Sequence, residues 1–121
     1  MLVTNEIAVD FLGMENARIL GTPYLIGYLE LTARNAVKEF LDPGQDTVGT
    51  HVDIRHLAAT PMGMHVRFEA RVTRVEDRRI HFHLEAHDEH EKVAEGTHER
   101  FVITVQRFAD RLISKRARKI S

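Results

Sequence analysis

The clearest periodic segment of the chain is an apolar stretch that begins after Thr22-Pro23 and ends before residues 42–44, which read Asp-Pro-Gly. Its large side chains recur at helical spacing. A threonine followed by proline is typical of a helix start, because the hydroxyl can cap the first turn and proline needs no N–H there. We therefore predict one long helix with Thr22 as its N-cap. Its first half is apolar nearly all round, which predicts burial on most sides.

After residue 44 the hydrophobic period changes from helical to two, which indicates strands. In the first strand, one face carries Val48, Thr50, Val52 and Ile54, and His56 falls on that face if the alternation continues. Further strands are predicted at 64–72, 80–87 and 92–106. An edge strand or extended arm is predicted at 3–11, a loop at 12–21 and a short helix or tail at about 108–119. One helix with several antiparallel strands predicts a single α+β domain over residues 1–121.

The composition narrows the classes of protein and partner. The chain is 43% hydrophobic and 29% charged with a net charge of −1, which is ordinary for a globular protein and gives no support for nucleic-acid binding. It has no cysteine, which excludes disulfides, zinc–thiolate sites and a cysteine nucleophile and fits a reducing compartment. The first residues are not a signal peptide, and no apolar run approaches the roughly 20 residues that span a bilayer. We therefore expect a cytoplasmic protein without a membrane partner.

Three polar residues in apolar surroundings are candidates for catalysis. An ionised Glu30 inside an apolar helix face costs free energy unless its carboxylate is paired or hydrated. Glu30 is therefore either part of a functional site or a residue whose carboxylate reaches solvent. His56 ends a strand before a turn, where it can exchange protons near neutral pH or be a satisfied core residue. Thr22 can be a plain helix cap, or it can lie beside an anion that the helix N-terminus stabilises.

The histidines raise the question of a metal site. His81 and His83 alternate on one predicted strand and can chelate a metal ion together with His65 across a hairpin. No carboxylate stands at a sequence spacing that completes such a site. We therefore predict no metal centre.

Four segments together resemble the fluoroacetyl-CoA thioesterase-like family in order and spacing. They read TPYLIGYLELTARNAV, GTHVDIRHLAATPMG, RRIHFHLEAHD and EGTHERFVI, and they cover most of residues 20–105. The resemblance implies a hotdog fold, in which a curved antiparallel sheet wraps one long central helix, usually in a dimer. It also implies an acyl-CoA thioesterase whose catalytic threonine, glutamate and histidine are Thr22, Glu30 and His56.

The resemblance also suggests residues that bind the substrate. Gly49 matches the glycine of the family's GTHV segment. His98 and Arg100 share a strand face, where they either line the acyl-CoA site or form a surface ladder with acids on neighbouring strands. Arg78 and Arg79 are either solvated or receive the phosphates of CoA. No metal or redox cofactor is implied, and CoA enters as part of the substrate.

One departure from the family concerns the acyl group. The fluoroacetyl-specific enzyme covers the fluorinated acyl group with phenylalanines that precede the helix. Residues 12–21 contain none, and the nearest phenylalanine before them is Phe11. The resemblance therefore does not extend to fluoroacetyl specificity, and the sequence does not identify the acyl group of the substrate.

Two alternatives to a thioesterase stay open. A hotdog hydratase of enoyl thioesters usually places an aspartate and a histidine near the helix start, but no histidine lies between residues 1 and 50. The other alternative is a non-catalytic module that binds an acyl-CoA or another small ligand. The presence of all three polar residues argues against a decayed site.

The spacing of two catalytic candidates predicts a homodimer. Thr22 and Glu30 are eight residues apart, which is about 12 Å along a helix and roughly 80° around it. One straight helix cannot easily bring both side chains to the same thioester carbon. The simplest arrangement is a two-fold dimer with two composite sites, in which one chain supplies Thr22 and the other supplies Glu30.

Overall fold

The computed structural model of the chain describes residues 1–9 and 18–118. Its elements, in chain order, are β1 (Ala8–Val9), β2 (Ile19–Leu20), α1 (Thr22–Lys38), β3 (Gln45–His56), β4 (Arg67–Glu76), β5 (Arg79–His87), β6 (Lys92–Thr104) and α2 (Val105–Ala117). Four strands form an antiparallel sheet in the order β3-β6-β5-β4, and α1 packs against β3, β4 and β5. This arrangement confirms the predicted α+β plan.

Helix α1 starts differently from the prediction. Gly21, in an extended conformation, is the N-cap, and Thr22 is the first helical residue, so the assignment of Thr22 as cap is wrong. The reason is a close approach of the short strand β1. A Cβ on Gly21 would lie 2.9 Å from Cγ1 of Val9, so there is no room for a capping side chain. The hydroxyl of Thr22 is therefore free to bond elsewhere.

Helix α1 buries one stripe of side chains against the sheet. The stripe repeats every four residues and consists of Leu25, Leu29, Ala33 and Val37. Tyr24 and Leu31, in the same apolar half, are each 44% exposed. The prediction of burial on most sides is therefore wrong for the single chain, because a sheet on one side covers only one face of a helix.

The central strand β5 alternates as predicted. Its helix-facing residues Ile80, Phe82, Leu84 and Ala86 are buried, and the residues between them lie on the outer face of the sheet. Strand β4 begins and ends later than predicted, whereas β6 and α2 lie within three residues of the predicted bounds.

Strand β3 contains a bulge that changes which residues face the helix. Gly49 pairs with Arg100 and His51 pairs with Glu99, so Thr50 is an extra residue between them. Partners in an antiparallel pair point to the same side of the sheet. His56 pairs with Ala94, which is buried, so His56 faces the helix side as predicted. The residues before the bulge shift by one position. The helix-facing residues there are Thr47 and Gly49, and the placement of Val48 and Thr50 on that face is wrong.

The described part of the predicted edge strand or extended arm is residues 3–9. The regular strand within those residues is β1, which pairs with β2. Residues 10–17, which include Phe11 and most of the predicted loop, lie outside the described residues. Neither described helix is long and apolar enough to cross a membrane.

Candidate active site

Two of the three catalytic candidates meet at the start of α1. Thr22 is the first residue of that helix, and His56 is the last residue of β3. Oγ1 of Thr22 lies 2.8 Å from Nδ1 of His56, which is hydrogen-bond distance. The bulge at Thr50 contributes to this contact, because it fixes which face of β3 carries His56.

The imidazole of His56 is suited to exchange a proton. Burial lowers its pKa from 6.5, and a weaker effect of the Ala58 backbone opposes that shift. The ring is therefore neutral at pH 7. Its Nε2 is buried and has no hydrogen-bond partner among the described residues. In the tautomer that carries its proton on Nε2, the Thr22 hydroxyl donates to Nδ1, and the ring is placed to accept that proton.

An open cleft of about 520 Å³ adjoins this pair. Its lining is mostly apolar and consists of Val9, Ile19, Leu20, Gly21, Thr22, Pro23, His56, Leu57, Ala58 and Ala59. The amides of Tyr24 and Leu25 both bond to the carbonyl of Gly21, and Pro23 has no N–H. The amide of Thr22 donates to no backbone acceptor in the described part of the chain. A free amide at a helix N-terminus favours a developing negative charge.

Glu30, the third candidate, does not line this cleft. Its side chain is half-buried and faces β3 at Gly49. A Cβ on Gly49 would lie 3.3 Å from Oε1 of Glu30 and 3.2 Å from Cε1 of His98, so these groups approach the bare glycine backbone closely. The single chain thus joins Thr22 to His56 and holds Glu30 apart from them.

His98 and Arg100 lie beside Glu30 rather than on the surface. His98 is completely buried and Arg100 is 6% exposed, so the alternative of a surface ladder is wrong for both. Arg100 donates from Nε to Oγ1 of Thr47 (2.7 Å) and from Nη2 to the carbonyl of Thr47 (2.8 Å). Thr47 was not among the residues predicted from the sequence, because the bulge that turns it inward leaves no clear mark in the hydrophobic pattern.

Arg78 and Arg79 lie at the turn between β4 and β5, at the far end of the sheet from His56. Arg79 pairs with Phe101 near the end of β6, whereas His56 pairs with Ala94 near its beginning. Both arginines are exposed and line a cavity of about 400 Å³ that also includes Phe101. A single chain does not bring them to the Thr22–His56 pair.

The outer face of the sheet groups histidines with carboxylates. Nε2 of His83 lies 3.9 Å from a carboxylate oxygen of Glu85 and 3.8 Å from one of Glu95. These acids come from the same strand and from β6, so strand pairing brings together what sequence spacing did not indicate. The ammonium group of Lys92 already pairs with both carboxylates. We assign no function to this cluster.

Comparison with known proteins agrees with the resemblance found in the sequence. The profile of the family described as fluoroacetyl-CoA-specific thioesterase matches residues 3–106. The fluoroacetyl-CoA thioesterase of Streptantibioticus cattleyicolor is 35% identical over 94 residues, which cover 78% of this chain and 68% of that protein.

Solved structures show the same fold. A mutant of a fluoroacetyl-CoA-specific thioesterase in complex with fluoroacetate and CoA is 30% identical and has a TM-score of 0.85, with 95% of this chain and 94% of that chain covered. A hot-dog-like protein from Thermanaerovibrio acidaminovorans is 26% identical and has a TM-score of 0.79, with 84% and 75% covered. The predicted hotdog fold is confirmed, and the chain belongs to the fluoroacetyl-CoA-specific thioesterase family.

Proposed function

We propose that this protein is an acyl-CoA thioesterase, which uses water to split an acyl-CoA into a free acid and CoA. The observation that carries the proposal is the 2.8 Å contact between Thr22 and His56 beside the N-terminus of α1. The comparisons support the substrate class, since a relative is a fluoroacetyl-CoA thioesterase and a mutant of a fluoroacetyl-CoA-specific thioesterase was solved with fluoroacetate and CoA bound.

Each group at the cleft has a task in this reaction. The Thr22 amide and the helix N-terminus stabilise the negative charge that develops on the thioester oxygen. When a water molecule or the Thr22 hydroxyl attacks, His56 accepts the proton that the attacking group loses and returns it to the departing CoA sulfur. When the Glu30 carboxylate attacks, no proton is lost in that step and CoA departs as a thiolate. An acyl-enzyme formed on either side chain is then hydrolysed by water, from which His56 accepts a proton. The attacking group is either Thr22, Glu30 or a water molecule that one of them orients. These steps need no metal or redox cofactor.

The active enzyme is a homodimer in this proposal, and the partner's Glu30 completes each site. Glu30 lies outside the cleft of its own chain, so a second chain is the simplest source of a carboxylate. Exposed apolar side chains lie on both elements that carry the catalytic candidates, with Tyr24 and Leu31 on α1 and Val52 on the edge strand β3. Burying these side chains in a dimer removes apolar area from water.

The CoA phosphates bind at Arg78 and Arg79 in this proposal. Exposed guanidinium groups bind phosphate oxygens through paired, charge-assisted hydrogen bonds. The cavity beside Phe101 has room for part of a nucleotide. The cysteine-free composition supports a cytoplasmic location.

The test is release of CoA from a panel of short, medium, branched and aromatic acyl-CoA substrates. We expect turnover of at least one substrate, and we expect Glu30→Gln to lower kcat/KM by on the order of a hundredfold or more. Glu39→Gln, at the exposed end of the same helix, is the matched control and should leave the rate unchanged. If folded wild-type protein binds CoA without hydrolysing any substrate, the proposal is wrong and the non-catalytic alternative gains support.

A further inference from the structure

A buried polar network lies next to Glu30 and has no task in the chemistry described above. Its centre is the guanidinium of Arg100, which uses all three of its nitrogens. Besides the two bonds to Thr47, Nη1 bonds to Nε2 of His98 at 3.2 Å. An arginine can only donate, so Nε2 of His98 must accept.

This bond also fixes the proton of His98. With Nε2 as acceptor, the ring proton lies on Nδ1, which donates to the carbonyl of His51 at 2.7 Å. That carbonyl follows the extra residue Thr50, so the β3 bulge belongs to the network. Burial lowers the pKa of His98 and keeps the ring neutral, which preserves this pattern at pH 7. The network therefore has one arrangement of donors and acceptors.

The positive charge of Arg100 lies near the carboxylate of Glu30. Its hydrogen-bond acceptors are all neutral, and within residues 1–9 and 18–118 it forms no ion pair at contact distance. Nη1 of Arg100 and Oε1 of Glu30 both lie within 3.5 Å of the point that a Gly49 Cβ would occupy, so their separation is at most about 7 Å. Opposite charges at that distance in a half-buried region attract each other.

We propose that Thr47 and His98 are positioning residues that hold Arg100 beside Glu30, and that Arg100 in turn keeps the Glu30 carboxylate in its catalytic position. The inference rests on the proposed function, because it assigns a supporting network to one of the catalytic candidates. Gly49 belongs to the same arrangement, since any side chain there would press on Glu30 and His98.

Thr47→Val tests the proposal with the smallest change. Valine keeps the shape of threonine and the backbone carbonyl, but it removes the acceptor for Nε of Arg100. We expect kcat to fall about tenfold while KM changes less than about twofold, because Thr47 acts on the carboxylate and not on CoA. Thr47→Ser restores the acceptor and should return kcat to within about threefold of wild type.

Thr60→Val is the matched control for lost stability. Thr60 is also completely buried, and its hydroxyl makes one side-chain hydrogen bond, to Asp88 at 3.1 Å. Both valine variants should therefore lose comparable thermal stability, but kcat should fall only in Thr47→Val. An equal loss of kcat in both variants, or no rescue by Thr47→Ser, overturns the proposal.

A double variant separates this inference from the proposed function. If Thr47 acts through Glu30, adding Thr47→Val to Glu30→Gln should lower kcat no further, whereas independent effects would multiply. A further tenfold loss in the double variant contradicts the network while leaving Glu30 catalytic. Full activity of Glu30→Gln contradicts the catalytic role of Glu30 and overturns this inference, whereas a wild-type protein that releases no CoA from any substrate contradicts the proposed function.

Discussion

The hydrogen bond between Thr22 and His56 gives the sharpest prediction about the chemistry, which is that the two residues act as one unit. His56→Ala removes the group that exchanges protons, and Thr22→Ala removes the hydroxyl 2.8 Å from it. Positioned acid–base groups contribute at least about a hundredfold to the rate, which corresponds to about 2.7 kcal/mol of transition-state stabilisation. Because each residue works through the other, the double variant should be no slower than the slower single variant.

The helix start makes this experiment clean. Gly21 and not Thr22 caps α1, and Thr22 is exposed, so Thr22→Ala should cost little stability. A loss of rate in that variant therefore reports chemistry. The assay is steady-state CoA release by the two single variants and the double variant, with thermal unfolding measured alongside and with exposed His90→Ala as the matched histidine control. Additive losses, with the double variant about ten-thousandfold slower, would refute the coupled pair.

Three further predictions concern pH, stability and specificity. The lowered pKa of His56 predicts that the fall of kcat/KM at acidic pH has its midpoint below 6.5, whereas a midpoint above 6.5 contradicts this. Arg34 lowers the pKa of Asp46 to about 2 from its usual 3.8. The stability that the Arg34–Asp46 pair contributes is therefore present above pH 3.8 and is lost as pH falls toward 2. Asp46→Asn should cost at most about 1 kcal/mol at pH 7 in denaturant unfolding, since the pair is partly exposed. Competition kinetics should show no large preference for fluoroacetyl-CoA over acetyl-CoA, because residues 12–21 contain no phenylalanine.

Two elements of the fold could be predicted from the sequence because they depend on residues that are close together in the chain. The alternation of β5 identified its buried face, and the helical period identified α1 with little ambiguity. The prediction of the helix N-cap was wrong, because the close approach of Val9 to Gly21 is a contact between residues that are distant in the sequence. The prediction that Val48 and Thr50 share the face of His56 was wrong, because the bulge in β3 depends on its pairing with β6.

The candidate site shows the same division. His56 could be placed on the helix-facing side because the alternation from Val52 onward is uninterrupted. Thr47 could not be identified, since its importance comes from a bond to Arg100, 53 residues away. The burial of His98 was also hidden, because an alternating strand with polar residues on both faces does not indicate which face is inside.

In the proposed homodimer, each active site combines Thr22 and His56 of one chain with Glu30 of the other. Mixing Thr22→Ala protein with Glu30→Gln protein tests it directly, once labelled subunits show that exchange has occurred. After full exchange of equal amounts, half of the dimers are mixed, and each mixed dimer has one intact composite site. A composite site predicts recovery of roughly a quarter of wild-type CoA release. No recovery despite proven exchange, or full activity in a monomer, would contradict it.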